Sequence, residues 1–286
     1  MTIWRFDAIG TRWEIEGDLD SGDRAAVSDL IERFDRDWSR FRADSAVSRL
    51  ATAGGVLESA DAAPMLDAYR ALSGATGGAV NPLVGASLQA LGYDAAYTLT
   101  SRAAVAARDD WSDVISWSAQ RATASAPALI DVGALGKGRL VDLVFAALDG
   151  VSGDLVVDAG GDMRVRGAAV RTALEHPFDA TKAIGVVELQ NGALCGSATN
   201  RRAWGDGLHH VLDARTGQPV RTWAATWALD AEAMRADAVA TALFFEGGPE
   251  LAADWGVDWV RMSTDGKVER SEDWPGELFL ARPRVP

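Results

Sequence analysis

The chain has 286 residues, 48% of them apolar, with 28 basic against 41 acidic side chains and a formal net charge of −13. That length supports an ample core, in one large domain or in two closely packed subdomains. So acidic a surface excludes general nucleic-acid binding, which needs a basic face, although a few local cations can still hold a nucleotide.

The single cysteine, Cys195, cannot form an internal disulfide and lies in Gly192-Ala-Leu-Cys-Gly196, the pattern of a buried strand. The opening Met1-Thr-Ile-Trp-Arg-Phe lacks a basic region followed by a long apolar run. No apolar stretch is long enough to span a membrane, so the expectation is a soluble, cytoplasmic chain without membrane insertion.

In chain order, Ile3 to Glu16 alternates across Gly10-Thr11 and predicts a hairpin. Val27, Leu30, Ile31, Phe34, Trp38 and Phe41 recur at helical spacing. A second helix follows Asp61, with Pro64 in its first turn and Met65, Leu66, Tyr69 and Leu72 on one face. Glycines break the pattern from Gly74 to Gly85, and the polar stretch to Ala128 holds a short helix and a strand near Val114 to Ser118. A short strand is expected to end at Asp131, followed by a glycine turn and a helix through Leu140, Val144 and Leu148. Strands are predicted at Leu155 to Val157, Met163 to Arg166, Ile184 to Leu189, Ala193 to Ser197, His209 to Leu212 and Trp223 to Leu229. A helix from Ala231 to Phe245 ends at Gly247-Gly248-Pro249, and the last strands lie at Trp259 to Met262 and Leu278 to Leu280. Strands outnumber helices without regular alternation, which points to an α+β fold with mixed or antiparallel sheets flanked by helices.

Three stretches carry chemistry. In Ala236-Asp237-Ala-Val-Ala-Thr241, a carboxylate and a hydroxyl sit four residues apart, on one face of the predicted helix. Such a pair suits Mg²⁺ when substrate phosphates supply further oxygen ligands. Asp131-Val-Gly-Ala-Leu-Gly-Lys137-Gly138 is a glycine turn entering a helix, where backbone can approach an anion closely. It is neither a Walker A loop nor a dinucleotide-binding fingerprint. His209-His210-Val-Leu-Asp213-Ala-Arg-Thr-Gly217 is the third stretch.

In this order the motifs resemble those of the FAD:protein FMN transferases, the ApbE-type flavin transferases. Asp131 to Gly138 is similar to the family's Asp-Leu-Gly-Gly-Ile-Ala-Lys-Gly, and Gly160-Gly-Asp162 to its Gly-Gly-Asp turn. His209 to Pro219 resembles Ser-His-Ile-Ile-Asp-Pro-Arg-Thr-Gly-x-Pro, and Asp237 to Leu243 resembles Asp-Ala-Leu-Ala-Thr-Ala-Leu. Ser39 to Ser48 and Ile9-Gly-Thr11 fit the family's N-terminal segments, so the likeness runs from residue 9 to about 247.

The resemblance implies one ApbE-like domain over residues 1–286, T-fold-like, with two intimately packed subdomains. It implies Mg²⁺ held by Asp237, Thr241 and the Ala134 carbonyl, and FAD contacted by Asp131, Lys137 and backbone near Ile9 and Leu212. Phe41 stands where the family usually has a tyrosine against the flavin, and Asn81 where it often has aspartate. The implied reaction transfers FMN from FAD to a threonine or serine hydroxyl of an acceptor protein and releases AMP, with His210 as general base. An Mg²⁺-dependent FAD pyrophosphatase and a non-catalytic FAD-binding protein are the alternatives. His209 is expected to be structural, and Asp213 a turn former rather than an orienter of His210. Two departures stand out. Ser197-Ala-Thr-Asn-Arg201 replaces Thr-Ser-Gly-[Asp/Ser]-Tyr, and Ala240 stands where some members carry a second aspartate.

Overall fold

The computed structural model describes residues 2–279. Leu280, the end of one expected strand, lies outside the described residues. Strands Thr2–Ala8 and Thr11–Gly17 form the first hairpin, with Ala8 opposite Thr11. The turn is therefore Ile9-Gly10 rather than Gly10-Thr11, and both residues have positive φ, 47° and 71°. A two-residue turn of that hand matches the twist of the strands it joins. A β-branched residue is costly there, which concentrates strain at Ile9.

This hairpin begins an eight-stranded sheet that continues through Leu155–Ala159, Asp162–Arg166, Gly192–Ala198, Trp223–Asp230, Asp258–Ser263 and Val268–Arg270. Every pairing among the described residues is antiparallel. The period of two in side-chain direction gives each central strand two buried faces. Leu155, Val157, Ala159, Ala193 and Cys195 enter the larger core, where the helices Gly136–Ala147 and Ala233–Ala242 pack. Val156, Leu194, Trp227 and Val260 face the other way, onto a three-stranded sheet of Val170–Glu175, Ala183–Leu189 and Glu277–Leu278.

Helix Ser21–Trp38 starts at a reciprocal cap between Asp20 and Asp23 and buries Val27, Ile31, Phe34 and Trp38. It ends before Phe41, which the periodicity had included, so Phe41 lies in the turn that follows. Helix Ala62–Ala75 starts after Asp61 as its sequence predicts.

Three further expectations need correction. The segment ending at Asp131 is not a strand, because its amides bond to loops: Ala128 N to Leu50 O at 3.1 Å and Asp131 N to Pro82 O at 2.7 Å. His209 to Leu212 is not one strand either. Leu208–His209 pairs with Ala203–Trp204, and Leu212–Asp213 pairs with Gln218–Pro219, so the chain changes partner at His210-Val211. The helix expected over 231–245 is shorter, and Gly247-Gly248-Pro249 also opens another, Gly248–Trp255, with proline in its first turn. Strands Gly55–Glu58 and Val170–Glu175 are absent from the sequence expectations, although Val170, Thr172 and Leu174 alternate with more exposed residues.

The start of helix Ala233–Ala242 is set from outside. Its own cap residue, Glu232, makes no side-chain cap. Instead Asp142, from helix Gly136–Ala147, accepts from Ala233 N and Met234 N, both at 2.9 Å, and from Arg164 Nη1 at 2.5 Å. The two helices meet at Gly138, where a Cβ would fall 2.3 Å from Ala233 O and 2.7 Å from the Asp237 Cβ.

Replacing Asp142 with alanine should lower stability by about 2 kcal/mol, through lost capping and an unpaired Arg164, and Asp142→Asn by less. Urea unfolding of both variants measures this. Gly138→Ala should cost about 2 kcal/mol by forcing the helices apart; an unchanged thermal midpoint would show that the contact is not tight.

Candidate functional site

A cavity of about 750 Å³ opens between the glycine turn 131–136, the end of helix Ala233–Ala242, the first hairpin turn and the segments around Phe41 and His210. That size is ordinary for a small-molecule site. All ten positions singled out from the sequence lie on its wall: Ile9, Phe41, Asn81, Asp131, Ala134, Lys137, His210, Leu212, Asp237 and Thr241.

At one end the Thr241 hydroxyl donates to the Ala134 carbonyl at 3.1 Å. Asp237 lies one helical turn earlier, buried, with its Oδ2 accepting from Gly138 N at 2.9 Å. Burial, and then the neighbouring Asp162 carboxylate, push the Asp237 carboxyl well above its ordinary value. A carbonyl, a hydroxyl and a buried carboxylate form an all-oxygen donor set, which fits a hard divalent cation and would offset that repulsion. Among the described residues no group of three or more His, Cys, Asp or Glu side chains forms a metal cluster, so a cation here would need backbone and hydroxyl oxygens beside the Asp237 carboxylate.

Lys137 enters the same corner but commits its ammonium to Asp162 in a buried ion pair. Burial works against that charge, yet Asp162 and Asp237 outweigh it and raise the Lys137 pKa. Asp131 is equally committed. It accepts from Gly133 N at 2.7 Å and from Arg40 Nε at 2.5 Å, while its carbonyl accepts from the Tyr69 hydroxyl at 2.9 Å. Its carboxylate thus holds the glycine turn and Arg40 in place.

Arg40 links this turn to an aromatic wall. Its Nη1 donates to Tyr93 O at 2.7 Å, and its guanidinium lies 4.1 Å from the Phe41 ring centroid. Phe41 stacks on Tyr97 at 5.3 Å with an 8° interplanar angle and meets Tyr93 edge-on at 5.4 Å. Asn81 reaches the wall, but its amide is spent internally, donating to Arg108 O at 2.7 Å and accepting from Leu83 N at 2.8 Å.

His209 and His210 have different surroundings. His209 donates through Nε2 to Val220 O at 2.9 Å and accepts at Nδ1 from Val211 N at 3.3 Å, the pattern of a structural neutral imidazole. His210 faces the cavity at the strand break, and its Nδ1 is buried without a hydrogen-bond partner. Burial, helped by Arg202 and His209, pushes the His210 pKa down to about 3, so the ring is neutral at physiological pH. Asp213 turns away to Arg215, with a contact of 2.6 Å, and does not orient His210.

The sequence reasoning missed the cavity's charge. Arg12, Arg40, Arg42, Lys137, Arg201 and Arg202 line it against three carboxylates, Asp35, Asp131 and Asp237, in a chain whose net charge is −13. Only Arg40 with Arg42 and Arg201 with Arg202 stand close in the chain; Arg12 and Lys137 come from separate segments. Tyr93 and Tyr97 were also missed, because nothing local ties them to Phe41.

Comparison with known proteins adds relatives. The chain is 30% identical over 291 aligned positions to the FAD:protein FMN transferase of Rhodobacter capsulatus, covering 92% of this chain and 55% of that one. It therefore spans about half the length of this curated relative. Among solved structures, the ApbE protein of Thermotoga maritima superposes with a TM-score of 0.79 at 22% identity, covering 95% of this chain and 97% of its own. The flavin transferase ApbE of Vibrio cholerae superposes with a TM-score of 0.78 at 22% identity, covering 96% and 97%. At that identity the likeness shows the fold, the α+β architecture of antiparallel sheets and helices described above. The ApbE family model matches residues 9–259, from the strained hairpin turn to the strand Asp258–Ser263, and the chain belongs to the ApbE family.

Proposed function

We propose that this chain transfers the FMN unit of FAD to a threonine or serine hydroxyl of an acceptor protein, releasing AMP. The observation that carries this reading is one cavity that joins an aromatic wall, an all-oxygen corner and a neutral, cavity-facing His210. The name of the Rhodobacter capsulatus relative supports the same reaction.

The aromatic wall of Phe41, Tyr93 and Tyr97 suits a planar ring system, and the excess of cations suits a pyrophosphate. Asp237, Thr241 and the Ala134 carbonyl would hold Mg²⁺, which would neutralise pyrophosphate charge. In the transfer, the acceptor oxygen bonds to the FMN phosphorus as the anhydride bond to AMP breaks, and the hydroxyl proton passes to His210. Asp131 keeps the glycine turn and Arg40 fixed around the bound substrate. No helix among the described residues is long and apolar enough to cross a membrane.

The test mixes protein, FAD and Mg²⁺ with proteins bearing exposed candidate threonines, and follows AMP and acceptor mass. An FMN-sized mass gain matched to AMP is expected; AMP with free FMN would identify a hydrolase, and tight FAD binding without AMP a binding protein. Asp237→Ala should reduce turnover roughly 1,000-fold. His210→Asn should reduce kcat by about 1,000-fold while FAD still binds. Because His210 is held near 3, it protonates only in strong acid, so the wild-type rate should show no break near the model imidazole value of 6.5. A single protonation break there, abolished in His210→Asn, would sink this account of the base.

A further inference from the structure

Arg202 and His210 belong to one short hairpin. Ala203 pairs with His209 and Trp204 with Leu208, and the loop between them contains Gly205 and Gly207, both at positive φ. Arg202 and His210 follow at the open end of this pairing, near enough for the Arg202 charge and backbone to act on the imidazole, and both line the cavity.

Most cations of the cavity are already committed. Arg40 pairs with Asp131, Arg42 with Glu32, Asp35 and Asp44, Lys137 with Asp162, and Arg201 with Glu175. Among the described residues, Arg202 has no carboxylate in ion-pair reach and donates no side-chain hydrogen bond. Arg12, similarly without a carboxylate, is exposed beside the first hairpin turn, whereas Arg202 is half-buried next to the imidazole.

We propose that Arg202 is an anion-binding residue of this cavity, holding the phosphoryl group beside His210 in its guanidinium fork. The inference rests on the transfer reaction proposed above. A guanidinium offers paired, coplanar donors that match two phosphoryl oxygens. Its place beside the base is where an attacking hydroxyl and the phosphorus must meet, so its charge lies where negative charge grows. Burial is the chief reason that the base is neutral, and the Arg202 charge adds to it. The charged and titratable groups bearing on His210 are Arg202, His209 beside it and Asp131 from the glycine turn. The first two oppose an imidazolium, whereas Asp131 and a hydrogen bond with the Arg202 backbone favour one, so losing the Arg202 charge leaves burial still holding the ring neutral.

The test uses the whole protein and its R202Q and R202K variants, with circular dichroism to confirm folding. Inorganic pyrophosphate with MgCl₂ is titrated calorimetrically, and AMP release from FAD is followed. Wild type is expected to bind pyrophosphate. R202Q should bind pyrophosphate at least about tenfold more weakly and release AMP from FAD about 100-fold more slowly. R202K should restore only part of the binding and of the rate, because an ammonium lacks the fork. A folded R202Q that binds pyrophosphate like wild type overturns the inference, even if its turnover falls. If wild type releases no AMP from FAD, the transfer reading fails, while pyrophosphate binding still decides the role of Arg202.

Discussion

The close approach of two helices at Gly138 is the constraint on which the site depends. Helix Gly136–Ala147 must come near enough for Gly138 N to reach the Asp237 carboxylate, at 2.9 Å. No side chain fits between them, and the facing helix offers Ala233, Ala236 and Ala240, all buried. Asp142 fixes the other degree of freedom, the point where the second helix begins, by capping its first two amides. With both fixed, Thr241 arrives at the Ala134 carbonyl and the oxygen corner closes. The small residues of this helix are thus a requirement of geometry, and its low apolar contrast reflects burial on nearly every side.

Charge is distributed against the average of the chain. The surface is acidic, whereas the cavity gathers six cations against three carboxylates. Most of these cations are tied to carboxylates that also organise backbone: Asp131 holds the glycine turn, and Asp162 sits in the strand beside Cys195. Buried pairs of this kind are costly to desolvate and strongly disruptive to break, so they fix geometry more than they add stability. The aromatic wall uses the same economy, since Arg40 both neutralises Asp131 and covers the Phe41 face.

Much of the fold was legible where the period was clean. The helices through Val27 to Trp38 and after Asp61 were found, as were the sheet strands at 155, 163, 184, 193 and 223, because alternation or helical spacing persists in each. Failures came where backbone partners lie far off in sequence. The segment before Asp131 looks like a strand, but its amides bond to Leu50 and Pro82; the segment 209–212 looks continuous, but tertiary pairing breaks it at His210. Helix Gly248–Trp255 hid behind a Gly-Gly-Pro that reads equally as a stop or a start.

The sequence by itself determined the chemistry available: a carboxylate and hydroxyl four residues apart, a glycine turn entering a helix, a histidine before Val-Leu-Asp, and an order of motifs that resembles one family. Those signals are local, set by spacing along one element. Only the tertiary structure decided what each group is free to do. It tied Asp131 to Arg40, spent the Asn81 amide on the Arg108 carbonyl, paired Lys137 with Asp162, and left Arg202 beside a neutral His210. Whether a polar group is satisfied or available depends on partners supplied by distant segments, and such partners leave no periodic trace in the chain.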